Sequence, residues 1–304
     1  MVFGYGQPAL AALATLERLG VTPAAVVVPG NRQESDVEMV IAGARERNLP
    51  LLIQPKRSLA APFVAAVQNL RPDVLFVWSY SMLLAPELIT LAPKGAVNLH
   101  GGVLPEYRGG HVMNWAIING ERESAATLHY LDAGIDTGPV IAEQRFPITW
   151  RDDITSVQAR LRAAGEALLE KWWPGIADGT APHTPQDESR ACYYRMRTPD
   201  DGLVDWAGSN LQIYNLVRAL TAPWPGAHTW CGTTKLVLRQ VEPVAASSAA
   251  APGTVVGCDD NEVRIAAGNG DVLVQSIEAD GHSFSSADLR RVGFAEGIRL
   301  ASSA

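Results

Sequence analysis

Short β-branched runs alternate with amphipathic stretches through the first eighty residues, and this alternation limits the fold more than any other feature. The runs at 24–28, 50–53 and 74–78 are apolar throughout or nearly so, while 35–47 and 60–70 repeat apolar residues at helical spacing. Strands buried on both faces and separated by helix-length segments pair as a parallel sheet, because a parallel crossover needs about a dozen residues or more. The fold class predicted is α/β, a mostly parallel sheet with helices on both faces. A short first strand at 1–3 runs into Gly4-Tyr5-Gly6. That pair of glycines lacks the third needed for a dinucleotide loop and reads as a tight turn into a helix at Pro8.

Further along, 111–118 is predicted as a short helix stopped by Asn119-Gly120, followed by strands at 127–131 and 140–148. A long helix over 154–172 has Asp152 or Asp153 available as its cap. The polar stretch 174–202 ends in Arg197-Thr198-Pro199-Asp200-Asp201-Gly202, which reads as a linker and sets the expected domains at 1–200 and 201–304. The second domain carries one helix, 211–220, and short strand candidates at 229–231, 235–241, 254–256, 263–266 and 271–277. A small β-barrel of OB type is the expectation there, with the Ala/Ser-rich stretch 245–251 as a flexible surface loop.

The chain has 304 residues, 47% of them hydrophobic, enough for a large core. Its net charge of −7 argues against a broad footprint on nucleic acid or an anionic membrane. No run approaches the roughly 18 apolar residues of a membrane span. Cys192, Cys231 and Cys258 are odd in number and have no CxxC spacing, which points to reduced thiols in a cytoplasmic protein rather than a disulfide framework or a zinc site. No metal site is expected, since His111 and His129 have no further ligand at metal-binding spacing. ATP use is not expected either, for want of a GxxxxGK[ST] loop.

Chemistry concentrates after the fourth run. Asn98 and His100 stand two apart at the end of the apolar stretch Gly95-Ala96-Val97, so in an extended strand both project to one face. Asp136, in a loop between Gly134 and Gly138, can return to the imidazole. A neutral imidazole can take a proton from an attacking nucleophile and return it to a leaving group, and a nearby carboxylate raises its pKa and fixes its tautomer. An amide N–H aimed at an oxyanion contributes about 3 kcal/mol when preorganised. Each group also has an ordinary use: a buried structural histidine, a turn aspartate, an asparagine bonded to local backbone. Arg108 can clamp a carboxylate or phosphate, or simply form an ion pair. Trp78, Trp115 and Trp224 can stack on a heterocycle or fill the core.

Taken together, Asn98-Leu99-His100-Gly101, Leu104-Pro105-Glu106-Tyr107-Arg108-Gly109 and Asp136-Thr137-Gly138 resemble the folate-dependent formyltransferases. Asn114-Trp115, Asn119-Gly120-Glu121, Thr127-Leu128-His129, the segment 197–201 and Pro223-Trp224-Pro225-Gly226-Ala227 extend the resemblance over nearly the whole chain. They look closest to the bacterial UDP-4-amino-4-deoxy-L-arabinose formyltransferase domain. The resemblance implies a Rossmann-like first domain, an OB-like second domain, and 10-formyltetrahydrofolate as formyl donor to an amine. It also implies oxyanion stabilisation by Asn98, proton transfer by His100, and Asp136 raising the histidine pKa. Folate contacts are implied at Met82, Leu83 and Leu84 and along Asp132, Ala133, Gly134 and Ile135, with Arg108 as a substrate-binding residue. The arabinose enzyme has a further arginine where this chain has Gly110, Tyr-Tyr-Arg around Ser79-Tyr80-Ser81, and serine in place of Gly102.

The implied acceptor is therefore an amino-sugar nucleotide, in lipid A, lipopolysaccharide or related glycan synthesis. Methionyl-tRNA formyltransferase shares the triplet and is the alternative. A tRNA ligand calls for basic surface, and residues 203–304 carry seven Lys/Arg against ten Asp/Glu. The region 29–37 also lacks the basic loop of the tRNA enzymes. Hydroxyornithine-type amines, a deformylase and a non-catalytic binding module remain open at this stage; the intact triplet argues against the last. A homodimer is compatible with the sequence, and no membrane or nucleic-acid partner is expected.

Overall fold

The computed structural model describes residues 1–32, 34–56, 61–258, 262–285, 288–289 and 294–301. A seven-stranded sheet is built from β1 (Val2–Gly4), β2 (Val26–Pro29), β3 (Leu51–Gln54), β4 (Leu75–Trp78), β5 (Ala96–His100), β7 (Glu123–Tyr130) and β8 (Val140–Pro147). Its order is β3-β2-β1-β4-β5-β7-β8. The first five strands are parallel and the last two antiparallel. At β7 the direction reverses. Between β5 and β7 lie a two-residue strand, β6 (Arg108–Gly109), and a short helix, α5 (Val112–Ile118), after which the chain returns beside β5 in the antiparallel sense.

Alternation along the strands sends side chains to two covered faces. Phe3, Val27, Leu75, Val77 and Ala96 pack with Phe63 and Val67 of α3 (Ala61–Asn69) and Leu88 of α4 (Pro86–Ile89). Residue 60, the expected start of α3, lies outside the described residues. On the other face Phe76 meets Trp173 edge-on at 6.4 Å, from α6 (Ile154–Asp178), and Trp78 lies against Gly165 of the same helix. Trp78 is thus core, only 2% exposed, and is not free to stack on a ligand. Each fully buried Leu, Val or Phe contributes about 1.5–3 kcal/mol. Helices α1 (Gly6–Arg18) and α2 (Ser35–Glu46) also pack on the strands they follow. Asp153 caps α6, its carboxylate accepting the N–H of Ser156 at 2.9 Å.

Two compact units emerge. One comprises Met1–Val112, Glu123–Pro147 and Ala159–Tyr194; the other takes Met113–Arg122, Ile148–Gln158 and the chain from Arg195 onward. The second unit contains α7 (Asn210–Ala219) and an antiparallel sheet of β10 (Ala227–Cys231), β11 (Thr234–Val244), β12 (Val255–Cys258), β13 (Val263–Ala266), β14 (Asp271–Ala279) and β15 (His282–Ser285). Residues 298–301 bridge β10 through Trp230 and the edge beside β12 through Thr254 and Val255. The segment read as a linker is an ordered turn: Thr198 and Asp201 cap each other around Pro199–Gly202. The Ala/Ser loop is likewise held, with Ser248 N–H and hydroxyl both donating to buried Asp271. No helix among the described residues is long and apolar enough to cross a membrane.

Candidate active site

Strand β5 lies between β4 and β7, and its alternation places Asn98 and His100 on one face. Antiparallel register sets His129 of β7 opposite Asn98 and Thr127 opposite His100. The Nδ1–H of His129 donates to the Tyr130 carbonyl at 2.8 Å, which fixes the tautomer and leaves Nε2 to accept from Asn98 Nδ2 at 3.1 Å. That bond orients the Asn98 amide with its nitrogen inward, and leaves its second N–H for another acceptor. Asn98 is partly open, while His129 is fully buried.

Beyond β5 the chain folds back sharply. The carbonyl of Tyr107 lies 2.6 Å from His100 Nε2, so Nε2–H is the donor there and Nδ1 carries the lone pair. Glycine at 102 is required by this close approach: a Cβ would sit 2.9 Å from the Tyr107 oxygen and 3.0 Å from His100 Nε2. A serine, as in the arabinose enzyme, fits only if the imidazole or the loop moves.

Asp136 completes the cluster. Its Oδ2 lies 3.6 Å from His100 Nδ1 and its Oδ1 3.6 Å from His129 Nε2. The Gly109 N–H donates to Oδ2 at 2.9 Å. Burial pushes the Asp136 carboxyl up, but the two imidazoles and the Gly109 N–H outweigh it and hold it well below the usual carboxylate range. Burial drives the His100 pKa down, Asp136 and the Tyr107 carbonyl oppose this, and His129 adds to it; the net direction is down. The resting pair is therefore a carboxylate beside a neutral imidazole whose free nitrogen faces the charge. A proton arriving at Nδ1 meets a partner already in place.

The flanking loops expose apolar surface. Leu83 is 71% exposed and Ile135 48%, whereas Met82 and Leu84 are partly buried, Leu84 against the core. Residues 132–135 are exposed, and their turn is ordered by Asp132, which accepts from Gly134 N–H at 3.0 Å and from the Thr137 hydroxyl. Arg108, expected to reach a substrate, is fully buried. Its five N–H groups all donate within the protein, to Gln186, Glu188 and Tyr193. It presents no N–H to a ligand. The structure thus brings Asn98, His100 and Asp136 together and adds two residues to which the sequence assigned no part in the site, His129 and Gln186. The first depends on strand register, and the second on a contact across about fifty residues; neither carries a local signal.

Residues 21–171 match the formyl transferase family and residues 197–289 its C-terminal domain. The methionyl-tRNA formyltransferase of Pelobacter propionicus is 36% identical over 238 residues, 78% of this chain and 73% of that protein. The N-formyltransferase of Helicobacter canadensis, solved with folinic acid and dTDP-3-aminofucose, superposes with a TM-score of 0.69 at 18% identity, covering 90% of this chain and 97% of its own. HypX of Aquifex aeolicus, solved with tetrahydrofolic acid, gives 0.61 at 20% identity over 88% of this chain and 46% of its own. These two likenesses speak for the fold, and the sequence matches speak for kinship. This chain belongs to the folate-dependent formyltransferase family and is a formyltransferase enzyme.

Proposed function

We propose that the protein moves the formyl group of 10-formyltetrahydrofolate to the amine of an amino-sugar nucleotide. The observation that carries the reaction is the cluster in which the Asp136 carboxylate lies 3.6 Å from both His100 Nδ1 and His129 Nε2, with the Asn98 amide bonded to that same His129 and partly open. The neutral amine attacks the formyl carbon and a C–N bond forms as the carbonyl electron pair moves to oxygen. The spare N–H of Asn98 donates to that oxyanion. His100 takes the amine proton at Nδ1, where Asp136 stabilises the imidazolium. The intermediate collapses, the bond to folate N10 breaks, and the proton passes to that nitrogen. No covalent enzyme intermediate is needed, so orienting donor and acceptor together supplies much of the rate.

Donor contacts are assigned to Met82, Leu83, Leu84, Asp132, Ala133, Gly134 and Ile135, whose exposed Leu83 and Ile135 suit an aromatic pterin. We assign the cytoplasm as location, 1–200 as catalytic domain and 201–304 as OB-like domain. The acidic balance of 203–304 favours a small acceptor. Methionyl-tRNA is the second reading, favoured by the 36% identical relative. The test is incubation with 10-formyltetrahydrofolate and a panel of UDP- and dTDP-amino sugars beside initiator methionyl-tRNA, reading the mass gain of one CO. Formylation of a sugar is expected. If only the tRNA is formylated, the acceptor assignment is wrong.

A further inference from the structure

A guanidinium that is wholly removed from solvent is costly unless every donor is matched, and at Arg108 every donor is. Nε and Nη2 donate to Gln186 Oε1 at 3.1 and 2.8 Å. Nη1 donates to Glu188 and to the Tyr193 hydroxyl, and Nη2 also to Glu188. Two donors on its oxygen fix which way the Gln186 amide points. The Nε2 end is thereby aimed at the loop after β7, where it donates to the Asp136 carbonyl at 2.8 Å and the Gly138 carbonyl at 2.7 Å.

That loop needs holding. Asp136 has a positive φ of 55°, in the left-handed region that costs a non-glycine residue conformational energy. Its carboxylate must meet His100, His129 and Gly109 N–H at once. Arg108 also precedes Gly109, and its own N–H and that of Gly110 pair with the Cys192 and Tyr194 carbonyls in a two-stranded ladder of β6 (Arg108–Gly109) and β9 (Tyr193–Tyr194). The anchor therefore fixes both the backbone donor to the Asp136 carboxylate and the side chain that clamps the Asp136 backbone.

We propose that Gln186 is a positioning residue for Asp136, its amide oriented by buried Arg108 so that the carboxylate stays within reach of His100. The inference rests on the reading of Asp136 as the partner of His100 in formyl transfer. It deepens that reading by naming what holds the carboxylate in place.

Gln186→Glu isolates the contact, because it keeps an acceptor for Arg108 but has no N–H for the two carbonyls. Gln186→Leu removes both links. Gln186 is only partly buried in a turn segment, and near-UV circular dichroism checks that each variant keeps its packing. The groups acting on His100 are Asp136 from the loop after β7, His129 from β7 and the Tyr107 carbonyl from the turn after β5. Nitrogen NMR of labelled histidines, with His100→Asn for assignment, is expected to show His100 titrating at lower pH in Gln186→Leu, the variant that adds no charge. Kinetics should show kcat falling between about 10- and 100-fold, the scale of a misplaced reacting group, with KM for the folate donor and calorimetric binding of 5-formyltetrahydrofolate unchanged. If Gln186→Glu does not fold, Gln186→Leu decides. Wild-type His100 titration together with wild-type kcat in a folded variant overturns the proposal. Should the wild type formylate none of the amines offered, the proposed function fails, and the titration comparison still decides this inference.

Discussion

Replacing Asp136 by Asn removes one charge and little else. The side chain keeps its shape, its oxygen stays with Gly109 N–H on the side that faces His100 Nδ1, and its NH2 takes the Oδ1 place beside His129 Nε2. In the wild type, a proton on Nδ1 lies 3.6 Å from a carboxylate oxygen. At the effective dielectric of about 20 that fits most sites in proteins, that attraction is about 4–5 kcal/mol. If half is expressed when the proton is partly transferred, about 2 kcal/mol of barrier is added, on the order of 30-fold in kcat. The sign on pH is fixed by the same contact. The reaction needs neutral His100, and Asp136 favours the protonated ring, so its loss lets the ring stay neutral to lower pH. The assay is kcat/KM for formyl transfer from about pH 5 to about pH 9, with 5-formyltetrahydrofolate binding as a control. A lower plateau with its acid limb moved to lower pH is expected. An acid limb that stays in place or moves upward refutes the electrostatic argument, whatever happens to the rate.

Asn98→Ala removes the oxyanion donor and is expected to lower kcat by roughly 100- to 1,000-fold with little change in donor KM; steady-state kinetics at wild-type rate would sink the assignment. Gly102→Ala drives a Cβ into the His100–Tyr107 contact and is expected to cost about 1–3 kcal/mol in urea unfolding along with activity, so unaltered stability contradicts the packing described. Acid stability follows from two groups with the same sign. Asp136 ionises more readily folded than unfolded, so its contribution is present above the ordinary carboxylate value of 3.8 and is lost as pH falls through its folded value. His100, held neutral by burial, adds a penalty that begins as pH drops below the ordinary imidazole value of 6.5. Calorimetric Tm should therefore fall on acidification already between about pH 6 and 5, and a Tm that is flat or rising there denies that His100 is buried neutral.

The sheet was legible because its signal is local. Runs such as 24–28 and 74–78 are apolar on both alternate positions, and only a strand covered on two sides tolerates that, so β2 and β4 follow with errors of a residue or two at their ends. The shared face of Asn98 and His100 is equally local, a consequence of the two-residue period of a strand. What failed to show was whatever depends on pairing at a distance. His129 reads as an ordinary alternating residue until β7 is known to run antiparallel to β5 in the register that sets it opposite Asn98. One residue of slip would turn it to the other face and leave the Asn98 amide without its orienting acceptor. The internal order of the segment at 197–202 was hidden for a related reason: its turn residues are plain in the sequence, but that Thr198 and Asp201 cap each other shows only in the structure.

Arg108 shows where residue type alone misleads. In a motif next to a candidate catalytic histidine, an arginine suggests a clamp for an anionic substrate, and nothing within ten residues says otherwise. The decision is made by acceptors almost eighty residues or more away, Gln186, Glu188 and Tyr193, which together use all five N–H groups. A charge satisfied in this way exerts little specific pull on a ligand, since its field is answered by Glu188 and its geometry is already committed. It can still serve the reaction, because a guanidinium locked in a planar fork is a rigid reference for anything bonded to the same acceptor. Specificity for the acceptor must then come from groups that remain open to the site. The positions at which this chain departs from the arabinose enzyme lie in the same neighbourhood: at Gly110 the further arginine is missing, and at Gly102 the space a serine would fill is taken by the His100–Tyr107 contact. A pocket with fewer fixed cations and a tighter turn is expected to favour an acceptor held by shape and neutral hydrogen bonds around its amine, which makes the amine's substituents, rather than its phosphates, the feature to vary first in a substrate panel.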